Sequence, residues 1–260
     1  MNSWPRAILE AIGSVPAGLA DLVLPAVCGV CEGADVDEAG MCPECHVRVL
    51  SAIATPYCPR CGASVGLNVP PGQAGCRLCP MPLPRFARVV RLGPYADPLG
   101  GVVRQLKYRR REKMRRRLGR MLAQALLGQC PGEAFDLAMP VPMHWRRRLA
   151  RGYDHARVLA RAVARELGLV VGDELVRVRH TPPQAHLPRS RRIENVRGAF
   201  RVTLPGPLAG AHVLLVDDVT TTGATADEAA RVLLAAGASR VTLAVIAKAE
   251  PPVPYADPSA

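Results

Sequence analysis

The sequence predicts an α/β protein in which a mostly parallel sheet, flanked by helices, follows a small cysteine-rich metal-binding domain. Three observations carry this. Four Cys-x-x-Cys pairs fall within residues 28–79. Beyond residue 85, short apolar runs alternate with longer segments of helical periodicity, a strand–helix–strand spacing that implies crossovers between parallel strands. The 260 residues are 49% hydrophobic and 22% charged, which excludes a disordered chain and allows one good core plus an appendage.

Residues 1–24 read as an N-terminal amphipathic helical segment. Glu10, Pro16 and Asp21 interrupt its apolar stretch, whereas a secretory signal needs ~7–15 clean apolar residues. A cytoplasmic location is therefore expected. No apolar run reaches the ~18–20 residues of a membrane-spanning helix, so no membrane insertion is expected.

Residues 25–82 form the cysteine-rich domain. The pairs are Cys28/Cys31, Cys42/Cys45, Cys58/Cys61 and Cys76/Cys79. Two intervening residues turn the chain so that both sulfurs face one point, and two such turns complete a tetrahedral site. Disulfides are disfavoured in a chain that keeps its thiols reduced, and the spacing favours zinc over an iron–sulfur cluster. Two structural zinc ions are expected, because sites filled by four thiolates have no open position. Metal binding would supply folding energy that this segment, poor in large apolar side chains, lacks. Sequential sharing of the pairs is the simplest scheme, and alternating, cross-braced sharing also satisfies the spacing. His46 reads as a bystander, and Cys130 as a buried small apolar residue.

The Pro-rich bridge at 80–84 leads into the main domain, residues 85–250. Strands are expected at 86–92, 137–141, 211–216 and 241–247. Helices are expected at 99–127, at 156–167 ended by Gly168, and at 224–236 ended by Gly237. The Pro-rich tail, 251–260, reads as disordered.

The carboxyl end of the strand at 211–216 is where ligands of such sheets bind. Two acids, Asp217 and Asp218, stand there, followed by Thr220, Thr221, Thr222, Gly223, Ala224 and Thr225 at the start of a helix. Free N–H groups and the positive dipole end of a helix favour a phosphate, Gly223 lets the backbone approach it, and the hydroxyls add donors. An N-capping Asp in a Thr-rich turn would account for one acid, not for two beside a phosphate cradle.

The formal net charge is +12, and residues 81–201 hold 27 Lys/Arg against 9 Asp/Glu. Arginine forks suit phosphate oxygens, so an anionic partner is expected. Residues 104–120 contain ten Lys/Arg and one acid. On a helix, Arg109, Arg110, Arg111, Arg115 and Arg116 would make a basic stripe suited to a nucleic-acid backbone. Tyr108 and Trp145 are the aromatics at hand, so single-stranded DNA would be bound without sequence preference. A solvated helix face is the competing reading.

The stretch Asp217–Thr225 resembles the 5-phosphoribosyl-1-diphosphate (PRPP) motif of type I phosphoribosyltransferases. That resemblance implies a type I phosphoribosyltransferase-like fold. Asp217 and Asp218, as catalytic residues, would bind the ribose 2- and 3-hydroxyls. Thr221, Thr222, Gly223, Ala224 and Thr225 would hold the 5-phosphate. Lys107, Arg148 and Arg151 would contact the pyrophosphate, magnesium would accompany PRPP, and residues 180–200 would be a mobile flap over the site. Thr221 stands where purine-salvage members carry a third acid, which argues against purine-type chemistry. Further motifs are Gln105-Leu-Lys107-Tyr108, Pro140-Val-Pro142, Arg151-Gly152-Tyr153, Pro183-Gln184, Asn195-Val196 and Gly198-Ala199-Phe200. Together they resemble the ComF family of competence-associated proteins over residues 20–248, zinc ribbon included. A departure lies at Tyr153-Asp154-His155, where the family usually has an aromatic followed by Asn-Gln; His155 in place of Gln could alter what this loop contacts. The resemblance implies a phosphoribosyltransferase with unknown acceptor, acting in DNA uptake beside a helicase partner. The alternative is an inactive nucleic-acid-binding adaptor that uses the fold and the ribbons as a scaffold.

Overall fold

A Cys-x-x-Cys turn opens the described chain, and Cys42 caps the first helix. Its sulfur accepts from the Cys45 amide, with Pro43 preset at the first helical position, and α1 runs Pro43–Ile53. The computed structural model describes residues 27–33, 36–37, 40–66, 75–108, 112–146, 149, 153–181 and 189–250. The segments expected at 1–24 and 251–260 lie outside the described residues. After β1 (Arg88–Pro94) come α2 (Leu99–Tyr108) and α3 (Glu112–Gln129). One helix was expected over 99–127; there are two, with residues 109–111 outside the described set. Next come β2 (Leu137–Pro140), α4 (His155–Leu167), β3 (Val170–Val171) and β4 (Leu175–Arg177). The last described elements are α5 (Arg189–Val196), β5 (Phe200–Val202), β6 (His212–Thr220), α6 (Ala224–Ala235) and β7 (Arg240–Lys248).

The main sheet has the order β1-β7-β6-β2-β3, with every neighbouring pair parallel. Side chains alternate between its faces. Leu214 and Val216 of β6 point to one core, where α2, α3 and α4 pack together with Met41, Cys45 and Val49 of the cysteine-rich domain. Val213 and Leu215 point to the other, covered by α6 and the segment 199–211. Helix α4 is capped by Asp154, which accepts from the Arg157 amide at 3.2 Å, and ends at left-handed Gly168 (φ 68°). Helix α3 crosses it at Gly119, where a Cβ would lie 2.4 Å from that of Ala162.

Two expectations are corrected. Strand β6 does not stop at 216. It continues to Thr220, because β7 carries the ladder on, pairing Asp217 with Val245 and Thr220 with Lys248. The acids therefore stand within the strand. Within the segment expected as a flap, residues 189–196 are helix, and β5 pairs antiparallel with β4 in a separate two-stranded sheet. Helix α5 seats Val196 in the interior and leaves Ile193 56% exposed. One inward apolar residue makes no readable helical stripe.

Candidate functional site

The cysteines sort into two sets. Cys28, Cys31, Cys42 and Cys45 face one point, and Cys58, Cys61, Cys76 and Cys79 another. Sharing is thus sequential. The sulfurs of Cys31 and Cys42 lie 3.8 Å apart, and those of Cys58–Cys79 and Cys61–Cys76 3.7 Å apart. A tetrahedron with Zn–S bonds of about 2.3 Å has edges of about 3.8 Å, so both sets fit zinc. Backbone amides already favour thiolate in places. Burial opposes ionisation of Cys28, but hydrogen bonds from neighbouring amides, among them those of Cys42 (3.3 Å) and Val30 (3.4 Å), outweigh it and bring the thiol down to about 6. Burial pushes Cys45 and Cys61 up. His46 belongs to neither set, and Cys130 is buried, as expected.

At the carboxyl end of β6, Asp218 is buried and Asp217 half-buried. The Asp218 amide donates to its neighbour's carboxylate, Asp217 Oδ1, at 2.8 Å, and the Val219 amide to Asp218 Oδ1 at 2.8 Å. His155, the first residue of α4, places Nε2 3.4 Å from Asp218 Oδ2. A ligand atom from each of His155, Asp217 and Asp218 lies within 4.8 Å of the others. The departure seen in the sequence is therefore felt at the acids themselves. Helix α6 starts at Gly223 (φ 84°), with no side-chain cap. The Ala224 amide donates to Thr222 Oγ1 at 3.4 Å, and the positive end of the helix dipole favours an anion at this turn. An acid in the first turn would repel that anion, but Asp227 is held by the Arg85 amide (2.6 Å) and guanidinium (2.7 Å).

Two features of this loop had no signal in the sequence. Lys248 at the end of β7 is buried and donates to the carbonyl of Thr221. Phe86, also buried, lies against Gly223, where a Cβ would be 3.4 Å from the ring. Both contacts join segments far apart in the chain.

The basic residues divide. Arg109, Arg110, Arg111, Arg148 and Arg151 lie outside the described residues, as does the side chain of Lys107. Arg115 does not belong to an exposed stripe. It is buried, its guanidinium lies 4.6 Å from the Tyr153 ring centroid, and it donates to the Leu106 carbonyl at 3.1 Å. Arg116 is exposed. It lines a cavity of about 790 Å³ with Arg117, Arg120, Arg165 and, from α1, His46. A second cavity of about 470 Å³ shares Arg116 and Arg165 and adds Arg161 and Tyr153. Arg117 is paired with Asp37 at 2.7 Å, and Arg120 and Arg165 share Glu166. The trough keeps a positive balance. None of the described helices is long and apolar enough to cross a membrane.

Residues 154–258 match a family model described as a phosphoribosyl transferase domain, and residues 19–84 one described as a double zinc ribbon domain. The chain is 33% identical over 225 residues to the DNA utilization protein YhgH of Salmonella typhi, spanning 85% of this chain and 96% of that protein. Identity to the protein of that name in Escherichia coli K12 is 33% over 229 residues, with the same shares covered. Competence protein F of Haemophilus influenzae is 28% identical over 215 residues, spanning 81% of this chain and 91% of that one.

Proposed function

We propose, from the premise that this chain belongs to the ComF family, that it binds PRPP as a phosphoribosyltransferase-like protein of DNA uptake. The observation that carries this is the pairing of Asp217 and Asp218 near the carboxyl end of β6 with a helix start at left-handed Gly223, three residues beyond the strand. The carboxylates accept hydrogen bonds from the ribose 2- and 3-hydroxyls. The amides from Thr222 to Thr225 and the threonine hydroxyls take the 5-phosphate. The pyrophosphate would go to Arg148 and Arg151, which follow β2 in the chain and whose charge would offset its own. Magnesium prefers oxygen ligands, and the two carboxylates fit it. When bound, it would supply positive charge that offsets the charge of the phosphates. His155 adds a nitrogen donor beside Asp218 and orients that carboxylate.

The test is isothermal titration of magnesium–PRPP into zinc-loaded protein and into the Asp217→Asn, Asp218→Asn variant. Binding should be measurable in the first. In the second it should weaken by roughly a hundredfold or more, since two hydrogen bonds to charged acceptors are lost. No binding at millimolar PRPP in the unaltered protein would sink the proposal.

The arginine trough favours a second, compatible reading in which single-stranded DNA lies along α3 and α4. Replacing Arg116, Arg120 and Arg165 by Gln should weaken binding of an oligo-dT strand. It should also flatten the plot of log affinity against log salt by about 2, at about 0.7 for each phosphate that is no longer neutralised. The Asp217→Asn, Asp218→Asn variant should retain that binding. An unchanged salt slope in the arginine variant would remove the trough from consideration.

A further inference from the structure

We propose that the second zinc ribbon is the positioning element of the phosphate loop, acting through Lys248 and Phe86. The proposal rests on the reading that Thr221–Thr225 takes a phosphate, and it adds what holds that loop in shape. The Cys58–Cys61 knuckle packs against the floor of the loop. Gly62, at φ 76°, closes the knuckle with its open side toward the sheet. A Cβ there would lie 3.2 Å from Val89 Cγ1 and 3.6 Å from Lys248 Cδ. The knuckle thus lies along the aliphatic stem of Lys248. The Val89 amide also donates to the Pro59 carbonyl at 2.7 Å.

Lys248 pairs in register with Thr220, the last residue of β6. Its ammonium donates to the Thr221 carbonyl and, at 3.2 Å, to that of Ala249. A buried ammonium is costly unless its donors are used, and here one goes to the point where strand turns into loop. The charge also stands beside the place an anion would occupy.

The same knuckle reaches the loop by a second route. Arg60, between Cys58 and Cys61, donates to the carbonyls of Pro84 (3.0 Å), Phe86 (3.1 Å) and Ala87. These bonds fix the segment that leaves the ribbon. Within it, Phe86 packs against Gly223 and Arg85 holds Asp227. The loop and the first turn of α6 are therefore touched at Thr221, Gly223 and Asp227 by residues that the second ribbon packs against or fixes. The first ribbon instead seats Met41 and Val49 in the core on the opposite face of the sheet. Loss of metal at the second site would loosen the phosphate loop directly, whereas loss at the first would act only through the stability of the whole sheet.

The test uses the zinc-loaded full chain and the variants Lys248→Met, Arg60→Met and, as a first-site control, Cys31→Ser. Ribose 5-phosphate and pyrophosphate are titrated separately, and amide hydrogen exchange is followed across residues 220–226. Lys248→Met should weaken ribose 5-phosphate roughly tenfold and leave pyrophosphate unchanged, the loss of one charge-assisted hydrogen bond at one end of the site. Amides of Thr221–Thr225 should exchange faster relative to those of β6 and β7 in Lys248→Met and Arg60→Met, with zinc content intact, whereas any faster exchange in Cys31→Ser should be shared by those strands. Unchanged exchange in both Lys248→Met and Arg60→Met overturns the proposal. Failure of the unaltered protein to bind either ligand removes the PRPP reading alone, because the exchange measurement still decides whether ribbon and loop are coupled.

Discussion

Stripping zinc from the protein with a strong chelator should unfold both ribbons and lower the melting temperature of the α/β domain by roughly 10 °C or more. Among the described residues the second ribbon's own buried apolar cluster is small, comprising Cys58, Cys61 and Ala63 with Val65, Cys76 and Cys79 at its edge, so its ties to the sheet are mainly hydrogen bonds. Structural zinc contributes on the order of 10 kcal/mol to domains of this kind, far more than such a cluster supplies. Without metal, four thiols crowd within contact of one another. Burial then holds Cys45 and Cys61 protonated beside neighbours that favour thiolate. The first ribbon shares its core with the sheet. Releasing it withdraws Met41 and Val49 from the cluster around Leu92, Leu99 and Val103. Deleting two such side chains costs about 4 kcal/mol or more. Thermal melting followed by circular dichroism, with zinc release read by a colorimetric chelator, checks this. Because the ligands must be thiolate, acidification should release zinc as well. Full zinc removal with no change in melting would show that packing alone holds the ribbons.

The features legible in the sequence are those written in contiguous residues. The cysteine pairs announce their sites because two residues between ligands dictate the turn. Strands β6 and β7 read clearly because a parallel strand buried on both faces needs an unbroken apolar run. The acids and the loop after them read as a site because strand end, carboxylates and helix start follow one another without a gap. Other features depend on distant segments. Residues 217–220 look like loop, and only the register with β7 makes them strand. Arg115 looks like one more member of a basic run, yet the Tyr153 ring draws it inward. His155 stood out as a departure, but its contact with Asp218 follows from where α4 begins relative to the sheet. Lys248, Phe86 and Arg60 gave no local signal, because each matters only through a segment far along the chain.

Arg91 is the sharpest such case, and it supports a second large prediction: Glu250→Gln should destabilise the protein by about 2–3 kcal/mol, and adding Arg91→Met should recover part of that loss. Arg91 sits mid-strand in β1, where a run of Val, Val, Arg and Leu reads as plain interior. It is fully buried, with its guanidinium 4.8 Å from the Tyr57 ring centroid, Nη2 donating to Ser64 Oγ at 2.7 Å and Nη1 paired with Glu250 at 3.3 Å. Glu250 also accepts from the Ser64 amide. Burial pushes the Glu250 carboxyl up, but the Ser64 hydrogen bonds and the Arg91 charge outweigh it and hold the group below the usual carboxylate range. A depressed folded value means that this contribution is complete above the ordinary carboxylate pKa of about 4.3 and is lost as pH falls through the folded value. Urea unfolding of the zinc-loaded protein at pH 7.5 therefore measures the pair fully charged. Breaking a buried pair costs about 3–5 kcal/mol, and the partial exposure of Glu250 trims that figure to about 2–3 kcal/mol. The larger share comes from the stranded cation rather than the lost bond, so removing the cation as well should relieve it. The double variant should then unfold at higher urea than Glu250→Gln alone. If the two unfold together, the charge on Arg91 is not what Glu250 offsets, and the acid serves the ribbon through Ser64 instead.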